Sequence, residues 1–256
     1  MEVLQELLPF ISAQLWHSFV VFLRVSAMVS LLPAFGERTV PVRIKLAIAL
    51  AFTLIVLPAV PPTANVQPFE NLFWLVASET LAGLMLGLGI RIFILALQTA
   101  GMIAAQSTSL SQLLGGAAVE PLAAVGYILV VGALALAVMT GLHIKAAQLV
   151  IFSYEVIPMG VLAGAADVSR WGVAQVSRAF SLAFTLAAPF VLISIIYNLA
   201  LGAINKAMPQ LMVAFVGAPV ITAAGLLVLC FASPLILTVW MQSVDAFFAR
   251  PFEIVR

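Results

Sequence analysis

Residues 179–205 read AFSLAFTLAAPFVLISIIYNLALGAIN, and after Lys206 a second stretch, 207–244, again contains no Asp, Glu, Lys or Arg. A helix that crosses a membrane needs about 20 predominantly apolar residues, and both stretches exceed that. Neither alternates apolar and polar residues with a period of two, so the strand pattern of a membrane barrel does not apply. The two stretches read as long apolar helices that bend near Lys206 to Gln210.

The rest of the chain repeats the pattern. Between Glu6 and Glu37 only Arg24 is charged. Leu46 to Phe69 carries no charge, although Pro58, Pro61, Pro62 and Pro68 cut its end. Asn71 to Gly101 carries only Glu79 and Arg91, and Pro121 to Ile144 carries none. Six apolar helices are expected near 10–32, 44–60, 71–103, 122–143, 179–204 and 212–246, with a further short helix over 144–157. The fold class that follows is all-α: a polytopic membrane protein of six or more hydrophobic helices. The second helix is short for a span and the last is long for one.

Composition agrees. Of 256 residues, 64 % belong to the AVILMFWYC set and 8 % are charged, with a mean hydropathy of +1.22. A soluble domain carries roughly 25 % charged residues. This chain cannot cover its outside with charge, which excludes a soluble enzyme and leaves lipid, other protein, or both as its surroundings. The net charge of +1 gives no footing to a nucleic-acid partner. Cys230, the single cysteine, sits in LLVLCFASPL and reads as a small buried hydrophobe. The start MEVLQELLPF has Glu2 and Glu6 and no basic residue before Arg24, unlike the basic start of a signal peptide, so the first apolar segment is expected to be retained.

The flanking charges do not settle an orientation. With six spans, Arg38, Arg43, Lys45 and Lys206 fall on one side, and Lys145, Arg170, Arg178, Arg250 and Arg256 on the other. Under the positive-inside rule that balance favours neither side. It suggests a chain that does not sit in lipid in the ordinary way.

Between the third and fourth helices lies QTAGMIAAQSTSLSQLLGG, Gln98 to Gly116, rich in Ser, Thr, Gln and Gly and uncharged until Glu120. A loop in bulk water collects charge, and a loop facing lipid leaves backbone groups unsatisfied. A loop lining or closing an internal cavity meets both conditions, and an ordinary short loop with Ser caps is the simpler alternative.

Arg24, Glu79 and Arg91 fall inside apolar helices. Glu79 and Arg91 are about 18 Å apart along one helix at 1.5 Å per residue, so they do not pair with each other. Charges in such helices face a partner or a wet cavity. A structural pair between helices, for example Arg24 with Glu79, is favoured over a transport role, and snorkelling of Arg24 and Arg91 is the alternative. Gly83 and Gly87, four apart, permit close helix approach, and the spacing recurs at Gly160 and Gly164.

Chemistry is scarce. No G-x-S-x-G, H-E-x-x-H, C-x-x-C or Walker A stretch occurs, and neither His17 nor His143 has a second ligand at metal spacing. Neither an enzyme nor a cofactor is expected.

Four ordered stretches resemble the family of FliR, the flagellar and type III secretion export-gate proteins. The first is Arg24 to Leu50, with Arg24, Pro33, Gly36, Val40, Pro41, Arg43 and Lys45. The second is Glu79 to Gln106, with Glu79, Gly83, Gly87, Gln98 and Gly101. The third is Gly141 to Gly160, with Gly141, His143, Ser153, Pro158 and Gly160. The fourth is Ala187 to Val220, with Pro189, Asn198, Gly202, Pro209, Gln210, Gly217 and Pro219. The chain departs from the pattern at Glu120, Met212 and Ala214, and no Lys occurs in Ile221 to Ala224.

The resemblance implies a subunit of the flagellar export gate in the bacterial inner membrane, within the basal body. Its implied partners are FliP and FliQ, with FlhB docking on the assembly and unfolded flagellar proteins in transit. It implies a FliP-like helical part over 1–178 and a FliQ-like hairpin over 179–256. It also implies a plug in the pore near 106–122. Within it, Gln106, Ser107, Thr108, Ser109, Leu110, Ser111, Gln112, Leu113, Leu114, Gly115 and Gly116 are expected to block the channel at rest. Gly101, Gly115 and Gly116 would let it swing. The rival class is a multipass secondary transporter of a small molecule, in which the buried charges would bind substrate or ions.

Overall fold

The structure, a computed structural model, describes residues 2–62, 72–108, 124–208 and 213–253. Among the described residues there is no strand. Within the described residues seven helices follow one another: α1 (Glu2–Leu31), α2 (Val42–Val56), α3 (Leu72–Thr108), α4 (Ala124–Met139), α5 (Leu142–Val156), α6 (Ala165–Ala207) and α7 (Val213–Ala249). A short 3₁₀ turn, Leu57–Ala59, extends α2. Among the described residues five helices are long and apolar enough to cross a membrane, or up to six if the bent pair α4 and α5 counts as one span. The chain is an all-α polytopic membrane protein.

Three expected boundaries move. Uncharged sequence predicts a fourth span over 122–143, but α4 stops at Met139 and the axis turns by 70° into α5. Gly141 sits at the corner with φ +80°, a left-handed conformation that glycine adopts without steric cost. The sixth helix begins at Ala165 rather than 179. Charges mark where apolar surroundings end, not where a helix ends. Asp167 and Arg170 form an exposed i,i+3 pair at 2.7 Å inside its first turns. The polar stretch from Gln98 is not a loop up to Thr108, because α3 continues that far. Ala and Met dominate 100–105, and Ser107 and Thr99 satisfy their hydroxyls on backbone carbonyls of their own helix, so nothing there stops the helix.

Cys230 is exposed, contrary to its expected burial. Helix α7 is apolar on every side, so sequence alone does not separate its inner from its outer face.

The chain divides into two compact units. The first comprises Met1–Arg91, Val138–Ala174 and Phe248–Arg256, the second Ile92–Ala137 and Gln175–Phe247. In the first, α1 buries Val20, Val21, Val25 and Met28, Leu32 is buried just beyond its end, and α2 buries Ala49, Phe52 and Val56. His17 Nε2 lies 3.1 Å from the Val60 carbonyl, tying α1 to the end of the 3₁₀ turn. The Trp171 indole donates to the Pro251 carbonyl at 2.8 Å and Phe152 packs on Phe252, which secures the segment after α7. In the second unit Leu97, Ala133, Ala183, Phe190 and Val244 are buried. The Trp240 indole donates to the Phe93 carbonyl at 2.9 Å.

Candidate functional site

The most polar place inside the first unit is centred on Arg24, whose side chain is 0 % exposed, as is that of Glu79. Arg24 Nε donates to Glu79 Oε2 at 2.8 Å and Nη2 donates to Oε1 at 3.1 Å. The two parallel bonds form the planar fork that guanidinium and carboxylate make best. Arg24 Nη1 donates to the Ser153 hydroxyl at 3.1 Å and to the Ile157 carbonyl at 3.0 Å. The guanidinium carbon lies 3.7 Å from the centroid of the Tyr154 ring, close enough for a cation–π contact. Glu79 also accepts from the Gly160 N–H at 2.8 Å and from the Tyr154 hydroxyl at 3.4 Å.

A lone charge at this depth is costly, whereas a pair with its remaining hydrogen-bonding capacity filled is tolerated. Four chain segments converge to fill it: α1, α3, α5 and the turn 157–160. Local sequence explains how they reach. A Cβ at Gly83 would run into the Arg24 carbonyl oxygen, and one at Gly87 would lie 2.9 Å from the Met28 oxygen and 2.8 Å from the Leu31 Cβ. The two glycines therefore bring α3 against α1, and Gly83 lies one turn from Glu79. Gly160 holds φ +75°, so its N–H is aimed at Glu79 by a conformation that a side chain would strain. Gly160 and Gly164 are not a helix-packing pair, because both lie in the connection between α5 and α6.

The structure brings Arg24 and Glu79 together as expected and keeps Arg91 apart from Glu79. Arg91 instead faces Glu37 at 3.6 Å, with both side chains about a quarter exposed, and its Nη1 reaches the Leu31 carbonyl at 3.5 Å. Glu37 follows the turn made by Pro33 and Gly36. There the Gly36 N–H donates to the Leu32 carbonyl at 2.6 Å, a Cβ at Gly36 would meet the Ser30 carbonyl, and Lys45 Nζ donates to the Gly36 carbonyl at 2.9 Å. Pro41 is the N-cap of α2. The turn, the proline and the lysine are thus one device joining α1 to α2.

Of the expected plug, Gln106, Ser107 and Thr108 form the end of α3. Ser109 to Gly116 lie outside the described residues, as do Pro209 and Gln210. Gly101 is no swivel: it lies within α3, and a Cβ there would collide with the backbone of Gly126 in α4. Its missing side chain serves close packing.

Among the described residues no group of three His, Cys, Asp or Glu side chains could hold a metal ion. A recess of about 360 Å³ beside α3 and the start of α6 is lined by Ser78, Leu81, Met85, Leu162 and Val168, too apolar to hold a charged group. The buried pair has its bonding capacity directed at protein atoms, which suits holding helices in register rather than carrying a proton or a substrate. Sequence reasoning missed Tyr154 and the Ile157 carbonyl. Only the resemblance marks Ser153, and Gly160 is marked by it and by its spacing to Gly164; the two contact Arg24 and Glu79 across a large separation in the chain.

The model of bacterial export proteins, family 1, matches residues 15–247. The chain belongs to this family. The FliR family is also where its relatives fall. Flagellar biosynthetic protein FliR of Caulobacter vibrioides is 34 % identical over 231 residues, covering 89 % of this chain and 92 % of that one. The FliR protein of Escherichia coli is 29 % identical over 222 residues, covering 84 % and 83 %. That of Bacillus subtilis is 25 % identical over 224 residues, covering 86 % of each. The matched range of the family includes the whole Arg24 and Glu79 centre and both ends of the polar stretch, so the site described above lies within the family's own extent.

Proposed function

We propose that this FliR-family chain is a subunit of the gate through which unfolded flagellar proteins leave the bacterial cytoplasm. It contributes part of the channel wall in the inner membrane, at the flagellar basal body, beside FliP and FliQ, with FlhB docked on the assembly. Residues 106–116 act as the plug that blocks the channel at rest. The parts over 1–178 and 179–256 are the FliP-like unit and the FliQ-like hairpin of that assembly. The observation that carries the reading is the family match over residues 15–247. The mutual satisfaction of Arg24 and Glu79 supports it against a small-molecule transporter, which would need buried charges available to cargo. An uncharged Ser, Thr and Gln stretch suits a constriction that passes varied sequences without binding them.

Co-purification in mild detergent tests the assembly. A stable large complex with two other small hydrophobic proteins is expected, and a well-behaved lone monomer or homodimer would point to the transporter instead. For the plug, deletion of 107–116 should leave that complex intact and make cells permeable to ions or small molecules. Deletion without leakage or any change in export rules the plug out.

A further inference from the structure

Beyond Phe190, α6 makes little contact with the other described residues of its own chain. Of residues 191–208, Ser194 alone is buried, while Leu192, Ile195, Ile196 and Leu199 are each more than half exposed. The Ser194 hydroxyl donates to the carbonyl oxygen of Ser107, in the last turn of α3. One turn further along α6, the Asn198 amide donates to the Ser194 oxygen at 3.3 Å. Ser107 lies in the last described turn of α3, and a backbone carbonyl in apolar surroundings is costly to leave without a donor. Ser107 turns its own hydroxyl back to the Ala104 carbonyl at 2.8 Å and leaves its carbonyl to Ser194.

Pro189 lies inside α6, five residues before Ser194. It has no N–H to offer the carbonyl one turn back, and a helix bends most readily at such a point. The outer part of α6 therefore has a bending point at one end and, among the described residues, a buried polar tether next to it.

We infer that Ser194 couples α6 to the end of α3, so that bending of α6 about Pro189 is passed through one hydrogen bond to the last turn of α3. Asn198 is a positioning residue: by donating to the Ser194 oxygen it leaves the hydroxyl proton for Ser107. The functional consequence rests on the export-gate reading, because the proposed plug begins in this turn of α3. The coupling itself does not.

Hydrogen–deuterium exchange on the complex purified in mild detergent tests the coupling. Ser194→Ala should speed exchange about three- to ten-fold, the range of one interhelical hydrogen bond in a membrane protein, both at amides 104–108 and at 191–198. Ser194→Thr keeps a hydroxyl and should stay close to the unsubstituted protein. Asn198→Ala should raise exchange in the same two segments, by less. Unchanged exchange in Ser194→Ala, or a rise confined to one of the two helices, overturns the coupling. Unchanged exchange in Asn198→Ala removes its positioning role. Leakage in the 107–116 deletion is read separately. Leakage together with unchanged exchange in Ser194→Ala leaves the plug and removes the coupling. No leakage together with raised exchange does the reverse.

Discussion

Arg24 and the outer part of α6 are opposites within one apolar chain. Around Arg24, four segments supply the contacts from the chain itself, and the two charged side chains are fully buried. Along 191–208, only Ser194 is buried, and large aliphatic side chains such as Ile196 and Leu199 point away from the protein, 67 % and 70 % exposed. Both regions are strongly apolar in sequence. The first draws its contacts from the described chain, while the second presents apolar side chains that the other described residues leave uncovered. Low charge therefore does not by itself mean burial in the fold.

The sharpest way to break the contrast is at the pair. Arg24→Ala leaves the Glu79 carboxylate without its main partner, and removing one member of a buried pair costs about 3–5 kcal/mol. Loss of the chain from membranes and a lowered thermal midpoint in detergent are the expected outcomes. An exchange of the two charges should recover little. It would set a guanidinium against the Gly160 N–H and a carboxylate against the Ile157 carbonyl, both of which now bond the opposite group. Replacing both by apolar residues, Arg24→Met with Glu79→Leu, should be milder than Arg24→Ala alone. If the charge exchange restores stability fully, the hydrogen-bonded surroundings of the pair matter less than its attraction.

Glycine substitutions carry the comparison further. Gly83→Val forces a side chain into the backbone of Arg24, and overpacking of this kind costs about 1–3 kcal/mol. Gly160→Ala must hold a left-handed conformation at about 1–2 kcal/mol, with the Leu75 side chain 3.3 Å from the new methyl. Both should lower the thermal midpoint, Gly83→Val more. Gly202, in the outer part of α6, has nothing within 4 Å of a Cβ. Gly202→Ala should raise helix stability by about 0.5–1 kcal/mol through propensity alone. A loss of stability there would show that the outer part of α6 is packed more tightly than its exposure indicates.

Much of the fold is legible in the sequence because hydropathy and charge report directly on solvent. The uncharged runs place α2, α3 and α7 to within a few residues, and the Gly83 and Gly87 spacing points to a close helix approach that the structure contains. Two of the misplaced boundaries share a cause. Asp167 and Arg170 look like the outside of a helix when they ride on it, and QTAGMIAAQST looks like loop because it is polar. Polarity describes what a side chain faces, whereas a helix depends on its backbone bonds, which persist here with the Thr99 and Ser107 hydroxyls turned back onto carbonyls of their own helix. The sequence expects a boundary between 143 and 144, and α4 already stops at Met139 because the left-handed turn at Gly141 has no hydrophobic signature.

By itself the sequence determined that the chain is a row of apolar helices, that Arg24 and Glu79 must find partners, and that the ordered motifs place it among export proteins. The first two conclusions need only transfer energies and the lengths of uncharged runs, and the third needs only the order of short motifs. Tertiary structure decided which groups meet: Tyr154 and the Ile157 carbonyl at Arg24, Gly160 at Glu79, Gly126 at Gly101 and Ser194 at the end of α3. It also decided which apolar faces remain outside. A residue's hydropathy states that it leaves water, but only the packing of distant segments settles what it meets when it does.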